Sequence, residues 1–351
     1  MGMRVAAVLL AGLAVSGGVS VAAMTPAPSE FKLEEVPSAP RVAVTQLKPN
    51  TVLFSDHRKD AIADPGTGLM KFEDWARLNP VERQYLSLFP GYVEPMREAV
   101  IDGVRKPYRE KLHIYVAEAR FVVPKAVGTI ELARYVKLPF LERIDPAITH
   151  KMITPADVMP LKDPDAAGNR NPQRGWCRPA GSALCIQSRY QLEGQLPLGM
   201  RLLNKFEDAS QKKAAEFLEF QSELRLLPAQ DIDQAAMAKL TGVNAPVHAA
   251  FEQSIFYVNQ MLQFGRFLAV LQPHPSEPNK TVASMFIAIA VETKVLERKK
   301  EYERVPVLRN LVPAQVLIGN SSFNTGNSLS AGLPTYARNR IKTVAAILDM
   351  E

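Results

Sequence analysis

The chain has 351 residues, of which 47% are hydrophobic and 22% charged, and its formal net charge is +6. These proportions are ordinary for a folded globular protein and exclude a largely disordered chain. The excess of positive charge is spread along the sequence without a concentrated Lys/Arg stripe, which excludes the usual pattern of a nucleic-acid binder.

The first 23 residues are typical of a secretory signal peptide. Arg4 precedes an apolar run over residues 5–15, and small residues then lead to a signal-peptidase site that ends at Ala23. The run is about half as long as the ~20 residues of a transmembrane helix. We therefore expect a periplasmic or secreted protein that is cleaved near Ala23 and is not an integral membrane protein.

Composition predicts four further segments in the mature chain. The boundary between the larger two lies in a stretch where prolines alternate with Asp and Asn, a composition typical of loops. We expect an extended N-terminal arm or linker at 24–50, a helical and strand segment at 51–155, a proline-rich loop at 156–176 and an α+β domain at 177–351. Residues 51–351 could also form one domain.

The first half favours two helices and one strand. Asn79 and Pro80 begin a helix that ends before Pro90, and a second short helix is expected over residues 95–101. Residues 112–123 are rich in β-branched and aromatic side chains and stop at a proline. This run predicts a strand that is buried on both faces.

Cys177 and Cys185 are the chain's two cysteines. Their spacing fits neither the paired short spacings of a zinc site nor the C-x-x-C of a thioredoxin-like pair. Exported proteins meet an oxidising compartment, and the intervening residues include the Pro and Gly of a turn. We therefore predict a disulfide between them.

The next part of the chain alternates strands and helices. Residues 185–193 and 216–227 alternate apolar and polar side chains and predict two half-buried strands, although 216–227 also fits a helix. Helices are expected over 198–213 and 231–242, the second ended by Gly242. Another helix is expected from Pro246, with one apolar face made of Val247, Ala250, Phe251 and Ile255.

The strongest supersecondary signal is a long hairpin that spans residues 261–291. Two strand-like runs, 261–271 and 281–291, are joined by a proline-bearing loop. A charged helix is expected over 294–304. The chain ends in an amphipathic helix whose apolar stripe is Ala337, Ile341, Val344, Ala345 and Leu348, with Arg338, Arg340 and Lys342 outside.

Together these elements predict an α+β fold. An antiparallel sheet, built mainly from the second half, is packed by several helices that include the C-terminal one. In element order alone the second half is similar to helix-grip domains, in which a curved antiparallel sheet wraps a C-terminal helix. That similarity rests on no diagnostic motif and implies a lipid-binding arrangement only by analogy.

The sequence predicts a binding protein more than an enzyme. It has no recognisable catalytic, cofactor or metal motif. Two regions are candidates for binding a hydrophobic or lipid-like ligand: an adaptable apolar cluster in the hairpin and a Ser/Asn/Gly-rich loop at 318–334. The candidate residues are Met261, Phe264, Phe267, Met285 and Phe286 in the hairpin and Phe323 in the loop. The alternatives are an accessory protein that binds another envelope protein and a hydrolase whose residues converge only in space.

Overall fold

The computed structural model describes residues 31–56, 97–108, 112–158, 177, 183–191, 217–258, 262–292 and 329–350. Within these residues, nine strands form one sheet and two more form a separate hairpin. In chain order the strands are β1 (Lys32–Glu35), β2 (Thr51–Ser55), β3 (Arg97–Ile101), β4 (Val104–Tyr108), β5 (Leu112–Val123), β6 (Thr149–Met152), β7 (Ala183–Gln191), β8 (Phe217–Pro228), β9 (Ala249–Val258), β10 (Leu262–Pro273) and β11 (Thr281–Glu292).

The strand order of the large sheet is β1-β2-β5-β11-β10-β9-β8-β7-β6. The strands from β6 to β11 follow one another as an antiparallel meander, and β11 then pairs with β5. The pair β1–β2 is parallel. The chain must therefore cross the sheet between β5 and β6, and helix α1 (Leu138–Ile144) lies in that crossing.

Alternation along the strands divides the core into two layers. One layer packs against α1 and against helix α3 (Leu329–Met350) and is here called the α3 face; it holds Ala119 and Phe121 of β5 together with Met285 of β11. The other layer packs against helix α2 (Gln234–Thr241) and is called the α2 face; it holds Val116 and Phe286.

Helix α3 buries the apolar stripe that the sequence predicts. Its five members, Ala337, Ile341, Val344, Ala345 and Leu348, are all buried in the α3 face. The predicted helix before Gly242 is confirmed as α2. The Asp233 carboxylate accepts hydrogen bonds from the N–H groups of Ala235 and Ala236, and Gly242 ends the helix with a left-handed φ of 64°.

The prediction of a helix-packed α+β fold is wrong. The described chain is dominated by a nine-stranded mixed sheet, it contains three α-helices, and β1, β2, β5 and β6 of the first half belong to the same sheet. The similarity to helix-grip domains fails with it. Most of the strands are long, and they satisfy their backbone hydrogen bonds with one another rather than within helices.

Two predicted helices are strands instead. Residues 249–258 form β9, which lies between β8 and β10, so apolar side chains are needed on both of its faces and imitate a helical spacing. Residues 97–101 form β3, which pairs with β4 across Asp102 and Gly103. Both turn residues have positive φ, as Asp-Gly hairpin turns require.

Other predicted elements are confirmed. Strand β5 covers Leu112–Val123, and β10 and β11 form the long hairpin. The helices expected over 79–89, 198–213 and 294–304 lie outside the described residues. No α-helix in the described part of the chain is long and apolar enough to cross a bilayer.

Candidate functional site

A small apolar cavity lies in the α3 face, between the sheet, α1 and α3. Its volume is about 60 Å³, and most of its wall is hydrocarbon. The side chains that form it come from every element around it, and they include Phe140, Leu224, Phe251, Phe267, Met285 and Val344.

The cavity exists because a small residue lies among bulky ones. Ala269 is directly opposite Phe251 on one neighbouring strand and Met285 on the other. It remains partly exposed although β10 is a central strand of the sheet. Its methyl group therefore leaves space that a larger side chain would fill.

The size of the cavity limits what it can hold. One enclosed water needs about 10–15 Å³ in a comparable measure. A cavity of about 60 Å³ has room for a short chain of carbon atoms and not for a whole lipid. A space lined by hydrocarbon also favours apolar occupants, because water inside it would find few hydrogen-bond partners.

Besides the phenol of Tyr135, two polar side chains line the cavity, Arg340 and Gln253. Arg340 donates hydrogen bonds to the Asp145 carboxylate, to the Tyr336 hydroxyl at 2.8 Å and to Gln253 Oε1 at 2.7 Å. Its guanidinium also lies 4.6 Å from the ring centre of Phe267. Both terminal nitrogens of Arg340 and the Gln253 Oε1 atom are thus engaged in hydrogen bonds.

Burial and charge act against each other on the pKa of Arg340. Desolvation lowers that pKa, but the neighbouring Asp145 and Tyr336 raise it by more, so the net shift is upward. Burial raises the pKa of the Tyr336 hydroxyl, which stays protonated. The cavity wall therefore carries a charged guanidinium whose charge Asp145 balances.

Arg338 holds the same helix to the β1–β2 edge of the sheet. Its guanidinium pairs with Glu35 of β1 and lies 3.6 Å from Asp56 Oδ2, just after β2. The guanidinium also lies 4.8 Å from the ring centre of Phe54. Helix α3 is thus attached by two arginines, one on each side of its buried stripe.

His150 and Ser188 lie near this network and invite comparison with a hydrolytic triad. His150 Nδ1 and Ser188 Oγ are 2.8 Å apart, and Asp145 acts electrostatically on the imidazole. Ser188, however, is 0% exposed, and the Asp145 carboxylate is paired with Arg340. This set does not present a nucleophile to a substrate, which a hydrolase requires.

The α2 face carries a second buried charged pair. Arg266 Nη1 lies 3.7 Å from Glu252 Oε1, and Ser254 Oγ donates to the same carboxylate oxygen at 2.9 Å.

The described residues include no group of three or more His, Cys, Asp or Glu side chains that could hold a metal ion.

The predicted disulfide is confirmed. Cys177 and Cys185 are bonded with their Cα atoms 5.4 Å apart, and both are buried. The N–H of Cys177 donates to Glu223 Oε2 at 3.1 Å, which fixes this point of the chain against β8. The bond links residue 177 to the beginning of β7 and lies away from the cavity-lining cluster.

The structure brings some of the predicted ligand-binding residues together. Phe267 and Met285 line the cavity. Phe286 contributes to the wall of β11, but its side chain belongs to the α2 face. Phe264 lies in β10, whereas Met261 and Phe323 lie outside the described residues.

Sequence reasoning missed Ala269, Gln253 and Arg340. An alanine within a strand gives no signal, whereas Arg340 could have been found. It follows Ala337 by three residues and precedes Val344 by four, so helical spacing places it beside the buried stripe and not outside it as expected.

No family model matches this chain, and no curated protein sequence matches it.

Proposed function

We propose that this protein is exported and binds an apolar ligand in the cavity between α3 and the sheet. The observation that carries the proposal is the cavity itself, whose wall is mostly hydrocarbon and includes the side chains of the hairpin residues Phe267 and Met285. Ligand sites are characteristically concave, mostly apolar and supplied with a few polar groups.

The export part of the proposal rests on two features. The first 23 residues have the composition of a signal peptide. The Cys177–Cys185 disulfide is a bond that persists in oxidising compartments such as the periplasm. N-terminal sequencing of the protein from its host should find a mature chain that begins near Met24; a chain that retains Met1 would contradict export.

The size of the cavity limits which apolar ligands can fit in it. A space of about 60 Å³ has room for the end of a hydrocarbon chain or for a small hydrocarbon, so the remainder of a lipid would lie outside it. The alternative, docking to an envelope protein through the terminal helix, has weaker support. The apolar stripe of α3 is already buried against the sheet.

The test uses n-pentane as the probe and the methyl group of Met285 as the reporter. We expect the NMR resonance of that methyl to shift in a saturable way as n-pentane is added to the full mature protein in sealed samples. The substitution Ala269→Leu should fill the cavity and abolish the shift without unfolding the chain.

The matched control is Ala238→Leu, which adds the same group at an exposed position of α2 on the other side of the sheet. This variant should bind n-pentane like the parent protein. A parent protein whose Met285 resonance does not respond to n-pentane would refute the proposal, as would undiminished binding by Ala269→Leu.

A further inference from the structure

A buried arginine at the wall of an apolar cavity suggests a receptor for the carboxylate of a fatty acid. Arg340 is charged, buried and part of the cavity lining. A free guanidinium in that position would bind a carboxylate by two parallel hydrogen bonds.

The existing hydrogen bonds of Arg340 use three of its five N–H groups. One terminal nitrogen donates to Asp145 and Tyr336, and the other donates to Gln253. Gln253 in turn donates through Nε2 to Ser222 Oγ at 3.0 Å. The side chain that accepts from Arg340 is therefore itself held in place, and Asp145 already balances the charge.

We propose that the cavity accepts hydrocarbon only, and that Arg340 is a positioning residue for α3 rather than a receptor for an anionic headgroup. The inference rests on the proposed function and names the class of ligand for the same site. Because most of the wall is hydrocarbon, a hydroxyl or carboxylate inside the cavity would give up hydrogen bonds to water for few partners. A carboxylate would also meet the charge of Asp145.

Four probes of one chain length test this selectivity: n-pentane, 1-pentanol, 1,5-pentanediol and pentanoate. In 1-pentanol the methyl end can enter while the hydroxyl stays in water, but 1,5-pentanediol must bring a hydroxyl inside. We expect the diol to bind about tenfold or more weakly than 1-pentanol, because a buried hydroxyl without a partner is costly. Pentanoate should bind no more tightly than 1-pentanol.

Arg340→Lys separates the two roles of the arginine. We expect this variant to change the affinities for pentanoate and 1-pentanol by the same factor, because neither the carboxylate nor the hydroxyl of the probe contacts residue 340. A specific loss of pentanoate affinity, or a diol that binds as tightly as 1-pentanol, would overturn the inference and leave the proposed function intact. Failure of both n-pentane and 1-pentanol to bind would refute the proposed function itself.

Discussion

Arg340 of α3 and Asp145, the residue that follows α1, form an ion pair that is almost completely buried beside an apolar cavity. The pair joins the C-terminal helix to the segment that crosses the sheet between β5 and β6. Because both charges have left water, each depends on the other for its stability.

Breaking this pair should be costly. Arg340→Met leaves the Asp145 carboxylate buried without its cation, and we expect the free energy of unfolding to fall by about 3–5 kcal/mol. Adding Asp145→Asn should restore part of the loss, since the uncompensated charge is then removed. Urea denaturation of the two single variants and the double variant gives the coupling energy; strictly additive losses would contradict the pairing.

Phe286→Ala tests which face of the sheet contains the cavity. Phe286 is 1% exposed and packs with Leu268 on the α2 face. We expect a loss of about 3–5 kcal/mol in stability, the usual cost of removing a buried aromatic ring. The affinity of the remaining folded protein for n-pentane should be unchanged, and loss of that affinity would place the Phe286 side chain in the cavity instead.

The protein should become less stable at acidic pH because the folded state disfavours protonation of His150. Burial lowers the pKa of this imidazole, with Asp145 raising it and Arg340 lowering it, so the folded value lies below the unfolded value of 6.5. Its Nε2 is buried and has no hydrogen-bond partner among the described residues. The unfolded chain therefore binds more protons, and stability is lost as the pH falls from about 6.5 through the lower folded value.

His150→Gln should remove this part of the pH dependence. The comparison is the free energy of unfolding of the parent and the variant at about pH 8 and about pH 5. Glu142 and the Asp145–Arg340 pair also act on the imidazole and remain in both proteins. An identical pH slope in the two proteins would show that His150 does not contribute.

Gly242→Ala should destabilise the end of α2. Gly242 has φ of 64°, and a Cβ atom there would lie 2.9 Å from the carbonyl oxygen of Pro40. Strain in the left-handed region costs about 1–3 kcal/mol. Gly128→Ala is the control, because a Cβ at Gly128 would meet no atom within 4 Å. Equal effects of the two substitutions in thermal unfolding would contradict this reasoning.

Reduction of the Cys177–Cys185 disulfide should lower stability by about 2–3 kcal/mol, since it releases a short loop in the unfolded chain. The unreduced exported protein should give no signal with a thiol-labelling reagent. In a Cys177→Ser/Cys185→Ser variant the reductant should have no further effect on unfolding. Labelling of both thiols in the unreduced protein would contradict the bond.

The sequence by itself determined the features that depend on neighbouring residues. β-Branched and aromatic runs predicted β5 and the β10–β11 hairpin, and Gly242 marked the end of α2. The disulfide followed from its close spacing and from the signal peptide. Each of these depends on local backbone preference or on a short stretch of chain, which pattern alone can specify.

The tertiary structure decided what depends on distant partners. Residues 249–258 became a strand because β8 and β10 lie on either side of them, a pairing that the helical spacing of their apolar residues concealed. The cavity beside Ala269 depends on Phe251 and Met285, which reach it from two other strands. Arg340 could be buried because Asp145, nearly two hundred residues earlier in the chain, supplies the opposite charge. Such positions are fixed by packing and charge balance across the sheet, and no local pattern contains that information.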